Sequence, residues 1–146
     1  MRRLTKETLM EISTPQSFER GKEYFQMGLV GDCERVAKTI RGEVEGSGLI
    51  SYDVELTIGR RLDWHCSCPY DWEGACKHVV ALGLAWIDDP ASFPDRTEEK
   101  RKEREKIKGI LEEQTQEVLA EFLFELLCED KIMKAKFFRF LKENRF

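Results

Sequence analysis

The 146-residue chain lacks any apolar run near the roughly 18 residues that a membrane-crossing helix needs. Its most apolar stretch, Val79-Val80-Ala81-Leu82-Gly83-Leu84-Ala85-Trp86-Ile87, is about half that length. It also lacks a surplus of positive charge. With 24 Lys and Arg against 28 Asp and Glu, its net charge is −4, so the chain as a whole is not a polycation built to coat nucleic acid. The first residues, Met1-Arg2-Arg3-Leu4-Thr5-Lys6-Glu7, lead into no apolar segment of the secretory kind. These absences predict a soluble, cytoplasmic protein with no membrane partner. They do not predict disorder, because 41% of the residues are apolar even though 36% are charged. Histidine is scarce, with two residues, and cysteine is not, with five. An odd cysteine count in a chain of this kind argues against a disulfide framework and towards a metal.

Hydrophobic periodicity predicts an α+β protein. Residues 5–12 suit a short helix with Leu9 and Ile12 on one side. A second helix is expected from about 15 to 27, with Thr14 as its cap, Pro15 in the first position and Gly28 closing it. Beyond Gly28 the period becomes two. Ile40, Gly42 and Val44, and then Tyr52, Val54, Leu56 and Ile58, alternate with polar residues, as do Leu62, Trp64 and Cys66. Turns at Gly46-Ser47-Gly48 and Gly59-Arg60-Arg61 divide these runs into an antiparallel meander over 29–66. The apolar run 79–87 predicts a buried helix starting near Cys76 and stopped by Asp88-Asp89-Pro90. Pro90 and Pro94 bracket a linker, which predicts a module over 1–90 and a helical extension over 91–146.

In the extension, Asp95 and Glu98 have capping-box spacing ahead of a charged, solvated helix. Residues 111–130 hold seven acidic and no basic residues, whereas 131–146 hold six basic and one acidic. Each stretch carries an apolar helical stripe. Together they predict an αα-hairpin; the basic stretch Lys131–Arg145 is a second candidate nucleic-acid patch, and its pairing with the acidic helix before it is the expectation.

The chemistry lies in Cys66-Ser67-Cys68-Pro69-Tyr70-Asp71-Trp72-Glu73-Gly74-Ala75-Cys76-Lys77-His78, a C-x-C, seven residues, then C-x-H. Three thiolates and one imidazole make a closed tetrahedral set of the kind that holds a structural zinc ion. In an extended strand Cys66 and Cys68 point the same way. Pro69 turns the chain and Gly74 lets it return to the entry of the buried helix. One Zn2+ at this place staples the last strand to that helix, and Lys77 offsets the net negative charge of the filled site. A catalytic zinc needs an open position, which four protein ligands do not leave. An iron–sulfur cluster on the same four ligands ranks below zinc. His65 neighbours the cluster but points to the opposite face of its strand. Cys33 and Cys128 are expected to be small buried hydrophobes. Trp64 and Trp86 are expected in the core.

The C-x-C-x7-C-x-H pattern running straight into an apolar helix resembles the SWIM zinc finger. Upstream, Arg20-Gly21-Lys22-Glu23-Tyr24-Phe25-Gln26-Met27-Gly28 resembles the R-G-x-x-Y-[FY]-x-x-G helix that often precedes bacterial and archaeal SWIM modules. The resemblance covers about residues 15–88. It implies zinc at Cys66, Cys68, Cys76 and His78 and a βα finger. It also implies a role in protein–protein interaction or DNA binding. The chain has no P-loop and no second zinc cluster of RING type, so the ATPase and ligase activities of larger SWIM proteins do not transfer.

The expected function is therefore binding and not catalysis: a SWIM-type adaptor with a protein partner, in a complex that handles nucleic acid, and no small-molecule substrate. The alternative is direct DNA or RNA binding through the finger face, with Arg60, Arg61, Tyr70 and Lys77 as the contact residues. Tyr70 and Trp72, between the ligand pairs, are suited either to stack on a base or partner or to cover the metal. For Trp72 the covering role is the expectation. Residues 1–90 carry 11 basic and 15 acidic residues, so any patch that adds Lys38 and Arg41 to these cations is local and salt-sensitive.

Overall fold

The computed structural model describes residues 3–70 and 73–145. The chain divides into two compact units, Met1–Lys100 and Arg101–Phe146. The protein is α+β: the described residues form six α-helices and one four-stranded antiparallel sheet.

The first unit opens with α1 (Lys6–Ile12) and α2 (Pro15–Gln26). Each is capped by a threonine. Thr5 and Thr8 exchange side-chain and backbone hydrogen bonds, and Thr14 accepts from the Ser17 N–H at 3.1 Å. The strands β1 (Val30–Val36), β2 (Thr39–Glu45), β3 (Ser51–Ile58) and β4 (Leu62–Cys66) follow in sheet order β1-β2-β3-β4. The alternation read from the sequence decides which face is dry. Ile40, Val44, Val54, Leu56, Ile58 and Leu62 are all buried. The register sets Ile40 beside Leu56 and Leu56 beside Trp64, then Gly42 beside Val54 and Val54 beside Cys66. The last residue of β4 therefore ends a row of core side chains.

Helix α3 (Lys77–Asp88) packs on that face and is the centre of the unit. Val79, Val80, Ala81 and Leu82 are fully buried, as a helix apolar nearly all round requires. Helix α2 crosses α3 at Gly21, where a Cβ would stand 2.5 Å from the Val80 Cβ. Only glycine allows that approach. Trp64 and Trp86 are half-buried against the core, Trp86 with its ring centroid 5.2 Å from that of Phe93.

The stretch after α3 returns to the sheet through a 3-10 turn (Pro90–Ser92). Phe93 is buried, the Arg35 N–H donates to the Pro94 carbonyl, and the Arg96 N–H donates to the Arg35 carbonyl. Residues 94–97 thus cover the free edge of β1, which would otherwise offer unpaired backbone groups. Asp95 accepts from the Thr97 N–H at 3.0 Å and pairs with Arg35.

Helix α4 (Thr97–Glu112) begins in this unit and continues into the second, which is completed by α5 (Gln116–Glu129) and α6 (Lys131–Glu143). Arg101–Glu105 and Lys108–Glu112 pair along α4 at i,i+4 spacing. Helices α5 and α6 pack together as a hairpin. Two expectations are corrected here. Among the described residues no ion pair joins α5 to α6, because they meet through the stripe holding Leu126, Leu127 and Phe137, and their charged rows face away from it. Cys128 is exposed on α5, not buried.

Candidate metal centre

Three local structures bring the four donors together. Cys66 is the last residue of β4. The pairing with β3 continues one residue further: the Ser67 N–H donates to the Asp53 carbonyl at 3.0 Å and the Asp53 N–H donates to the Ser67 hydroxyl at 2.9 Å. Cys68 therefore leaves the sheet from a fixed point. On the return arm, Gly74 has φ +80°, and its Cβ, if present, would lie 2.5 Å from the Ile12 carbonyl oxygen. The next residue, Ala75, donates its N–H to that same oxygen at 2.7 Å, and Ser13 bridges Ala75 in parallel. The α1–α2 junction thus anchors the arm that delivers Cys76. Cys76 is the N-cap of α3, and His78 lies in the first turn of that helix.

The ligand atoms of Cys66, Cys68, Cys76 and His78 all lie within 4.8 Å of one another. The His78 Nδ1 is 3.7 Å from both the Cys66 and the Cys76 Sγ. Metal–sulfur and metal–nitrogen bonds of about 2.3 and 2.0 Å at the tetrahedral angle put such atoms about 3.5 Å apart. The donor set, the spacing and the burial fit one metal ion bound through three sulfurs and Nδ1. Cys76 and His78 are buried, and Cys66 and Cys68 half-buried.

The electrostatics agree. Cys76 is pulled down to about 4, first by its hydrogen bond with Cys66 and then by that with His78, which favour its thiolate. Cys66 is pushed up by the same Cys76 interaction and by burial, and Cys68 is raised by burial. Three sulfurs this close cannot all be ionised without a cation among them.

Aromatic rings surround the histidine ligand candidate. The His78 ring packs tilted on Tyr52, with centroids 4.7 Å apart, and edge-on to Tyr24, at 5.6 Å. Its Nε2 is buried and has no hydrogen-bond partner among the described residues. The orientation of the imidazole is thus set by ring packing, where a carboxylate or carbonyl often does this for a metal-bound histidine. Tyr24 was legible as part of the R-G-x-x-Y-[FY]-x-x-G pattern and Tyr52 as part of a strand alternation; their contact with His78 depends on α2 and β3 both packing at the head of α3.

The remaining candidates separate into two groups. Tyr70 and Lys77 lie together beside the centre, in a groove of about 930 Å3 that Ser17, Arg20 and Tyr52 also line. The Tyr70 hydroxyl is 3.2 Å from that of Ser17, and the Lys77 Nζ sits 4.6 Å from the Tyr24 ring centroid. Arg60 and Arg61 are exposed in the β3–β4 turn, at the far end of β4 from Cys66. At about 3.3 Å per residue the strand separates Arg61 from the centre by some 16 Å. The Ile58 N–H donates to the Lys38 carbonyl, so Lys38 belongs to that far end as well. Arg41 is taken up by Glu55, at 2.9 Å. His65 is exposed opposite Glu55 and outside the cluster, and Cys33 packs half-buried against the core. Trp72 lies outside the described residues. No helix among the described residues is long and apolar enough to cross a membrane.

No known protein-family profile matches the chain, and no solved structure matches it. The chain is similar to the uncharacterized protein MJ1493 of Methanocaldococcus jannaschii, with 35% identity over 68 residues. That stretch is 47% of this chain and 28% of the relative, so the likeness spans little more than a quarter of the archaeal protein.

Proposed function

We propose that the chain is a structural zinc-binding module of SWIM type, that it is not an enzyme, and that it serves as a protein-interaction adaptor in a complex handling nucleic acid. The observation that carries this reading is the closed Cys3His donor set at the junction of β4 and α3. Four protein donors fill a tetrahedral shell and leave no position for a substrate. Zinc suits three thiolates and an imidazole, and when bound it supplies a cross-link between strand and helix. The upstream R-G-x-x-Y-[FY]-x-x-G pattern has a physical sense that supports the SWIM assignment. Gly21 permits the approach to Val80, Tyr24 packs on the ligand His78, and Gly28 takes φ +71° after the helix.

Elemental analysis of the purified protein tests the metal. One zinc per chain is expected, and iron or no metal refutes the assignment. The same spectrum of metals decides whether an iron–sulfur cluster occupies the donors.

Direct nucleic-acid binding is the second reading, favoured by one observation: Arg20 and Lys77 share the groove beside the centre with Tyr52 and Tyr70. Cations and aromatic rings together are what a single strand needs. Fluorescence anisotropy with single- and double-stranded probes across a salt series separates the readings. The adaptor reading expects no binding tighter than the non-specific range of about 10⁻⁴–10⁻⁶ M at physiological salt. Tighter, salt-dependent binding that Arg20→Glu with Lys77→Glu abolishes would transfer the function to the groove. Loss with Arg60→Glu and Arg61→Glu would transfer it to the far end of the sheet.

A further inference from the structure

No side chain of α4, α5 or α6 is buried, although α5 alone carries Val118, Leu119, Phe122, Leu123, Phe124, Leu126 and Leu127. Isolated helices of this length are marginal in water, and packing of an apolar face normally sustains them. The hairpin contact leaves Phe122 64%, Phe124 70% and Phe140 59% exposed. At 3.6 residues per turn, Val118 and Phe122 of α5 share one side of the hairpin with Ile132 and Phe140 of α6, while Phe124 and Phe138 lie on the other.

We propose that the first of these sides is a self-association surface, and that its occupant is a second copy of this chain. The charges identify the occupant. On the side that holds Phe122 and Phe140, Glu125 and Glu129 flank the apolar stripe on α5, and Lys136 and Arg139 flank it on α6. Among the described residues none of these has an ion-pair partner in the chain. A two-fold axis parallel to the helices lays α5 of each copy on α6 of the other. Each acidic edge then stands beside a basic edge, and the same patch serves both copies. The alternative two-fold, with α5 on α5, sets acidic edge against acidic edge and is disfavoured. An unrelated protein would have to offer both charged edges in reversed order; a second copy does so by symmetry. An anionic membrane would meet the basic edge favourably and the acidic edge unfavourably.

The size also fits. Two phenylalanines at such exposure, with Val118, Ile132 and Met133, present about 500 Å2 of apolar surface. The aliphatic stems of the flanking Lys and Glu bring this towards the roughly 800 Å2 per partner of a standard interface. The surface makes the protein a bivalent carrier of its metal module, so that a partner with two binding sites is held by both copies at once.

Sedimentation equilibrium on the full, metal-loaded chain between about 1 and 100 µM tests this. The expected mass is twice the 17.1 kDa of one chain. Phe122→Glu with Phe140→Glu should raise the dissociation constant by about 100-fold or more, as loss of two central aromatic anchors does, while Phe124→Glu with Phe138→Glu leaves it within a few-fold. Circular dichroism of each variant checks that the helices persist. Two charge-reversed chains guard against misfolding: Glu125 and Glu129 to Lys in one, and Lys136 and Arg139 to Glu in the other. Each alone should be monomeric, and an equimolar mixture should form a one-to-one heterodimer. A wild-type chain monomeric throughout overturns the proposal, as does a dimer that survives the Phe122 and Phe140 changes with helicity intact. A mixture of charge-reversed chains that stays monomeric overturns it too. A monomer that co-sediments with phosphatidylserine vesicles would assign the face to a membrane instead.

Discussion

The most searching perturbation of the proposed zinc module is removal of its metal. The four donors join the end of β4 to the head of α3, and α3 carries Val79, Val80, Ala81, Leu82 and Leu84 into the core. Loss of the ion frees the N-terminus of the helix on which the whole first unit packs. Its contribution follows from linkage: at a free metal concentration about 1,000 times the dissociation constant, a ligand that binds only the native state adds ~4.1 kcal/mol. Structural zinc in small peptides reaches an apparent ~10–16 kcal/mol, so such a ratio is easily met. In a unit of about 100 residues each kcal/mol moves the melting temperature by roughly 4–8 °C. Chelation should therefore lower Tm by about 15–30 °C. The assay is calorimetry of the full chain before and after chelation, with elemental analysis of both samples. Cys76→Ser should reproduce the loss, because it removes a donor. Cys128→Ser, exposed on α5, should change nothing. A Tm unmoved after verified loss of the metal would refute the reasoning, and with it the idea that the ion cross-links strand to helix. Amide exchange offers a sharper view, since protection should fall first over 66–80.

Three further outcomes are expected. Gly74→Ala combines φ +80° with a Cβ 2.5 Å from the Ile12 oxygen, whereas Gly28→Ala at φ +71° meets nothing within 4 Å. Both carry the ~1–3 kcal/mol of a left-handed non-glycine residue, but only Gly74→Ala should also weaken metal binding, as read by chelator competition. Leu82→Ala, at a fully buried site, should cost ~2–5 kcal/mol in denaturant unfolding, and Leu49→Ala, fully exposed in the β2–β3 turn, should stay within about 0.5 kcal/mol of wild type. Asp95 is held below the usual carboxylate range by the Thr97 side-chain and backbone hydrogen bonds and by Arg35. A pKa lowered on folding stabilises above the unfolded value and is lost as pH falls through the folded one. Wild type should therefore lose more stability than Asp95→Asn between about pH 5 and 2; equal acid sensitivity in parallel melts would show that the Arg35–Asp95 tie contributes nothing.

What could be read from the sequence and what could not divide along a physical line. Thr14, Pro15 and Gly28 bound a helix by backbone chemistry alone, and the alternation Tyr52, Val54, Leu56, Ile58 selects a sheet face by burial alone. Both are local, and the helix and strands stand where they were expected. The four donors were legible for the same reason: ligand type and spacing within 13 residues carry the chemistry without knowledge of the fold. The setting of that site was not. The anchoring of Ala75 on Ile12, the packing of Tyr24 and Tyr52 on His78, and the return of 94–97 to β1 all join residues separated in the chain by from about 25 to more than 60 positions. Each is decided by tertiary packing that no local pattern encodes. Charge misled for a related reason. The acidic and basic runs on either side of Asp130 invite pairing between adjacent helices, yet apolar packing outranks exposed ion pairs worth at most about 1 kcal/mol each. The hairpin closes on Leu126, Leu127 and Phe137, and its two charged edges are turned outward. A charge pattern in a sequence thus records that complementary surfaces exist; whether they meet within one chain or between two is settled by which side chains must leave water first.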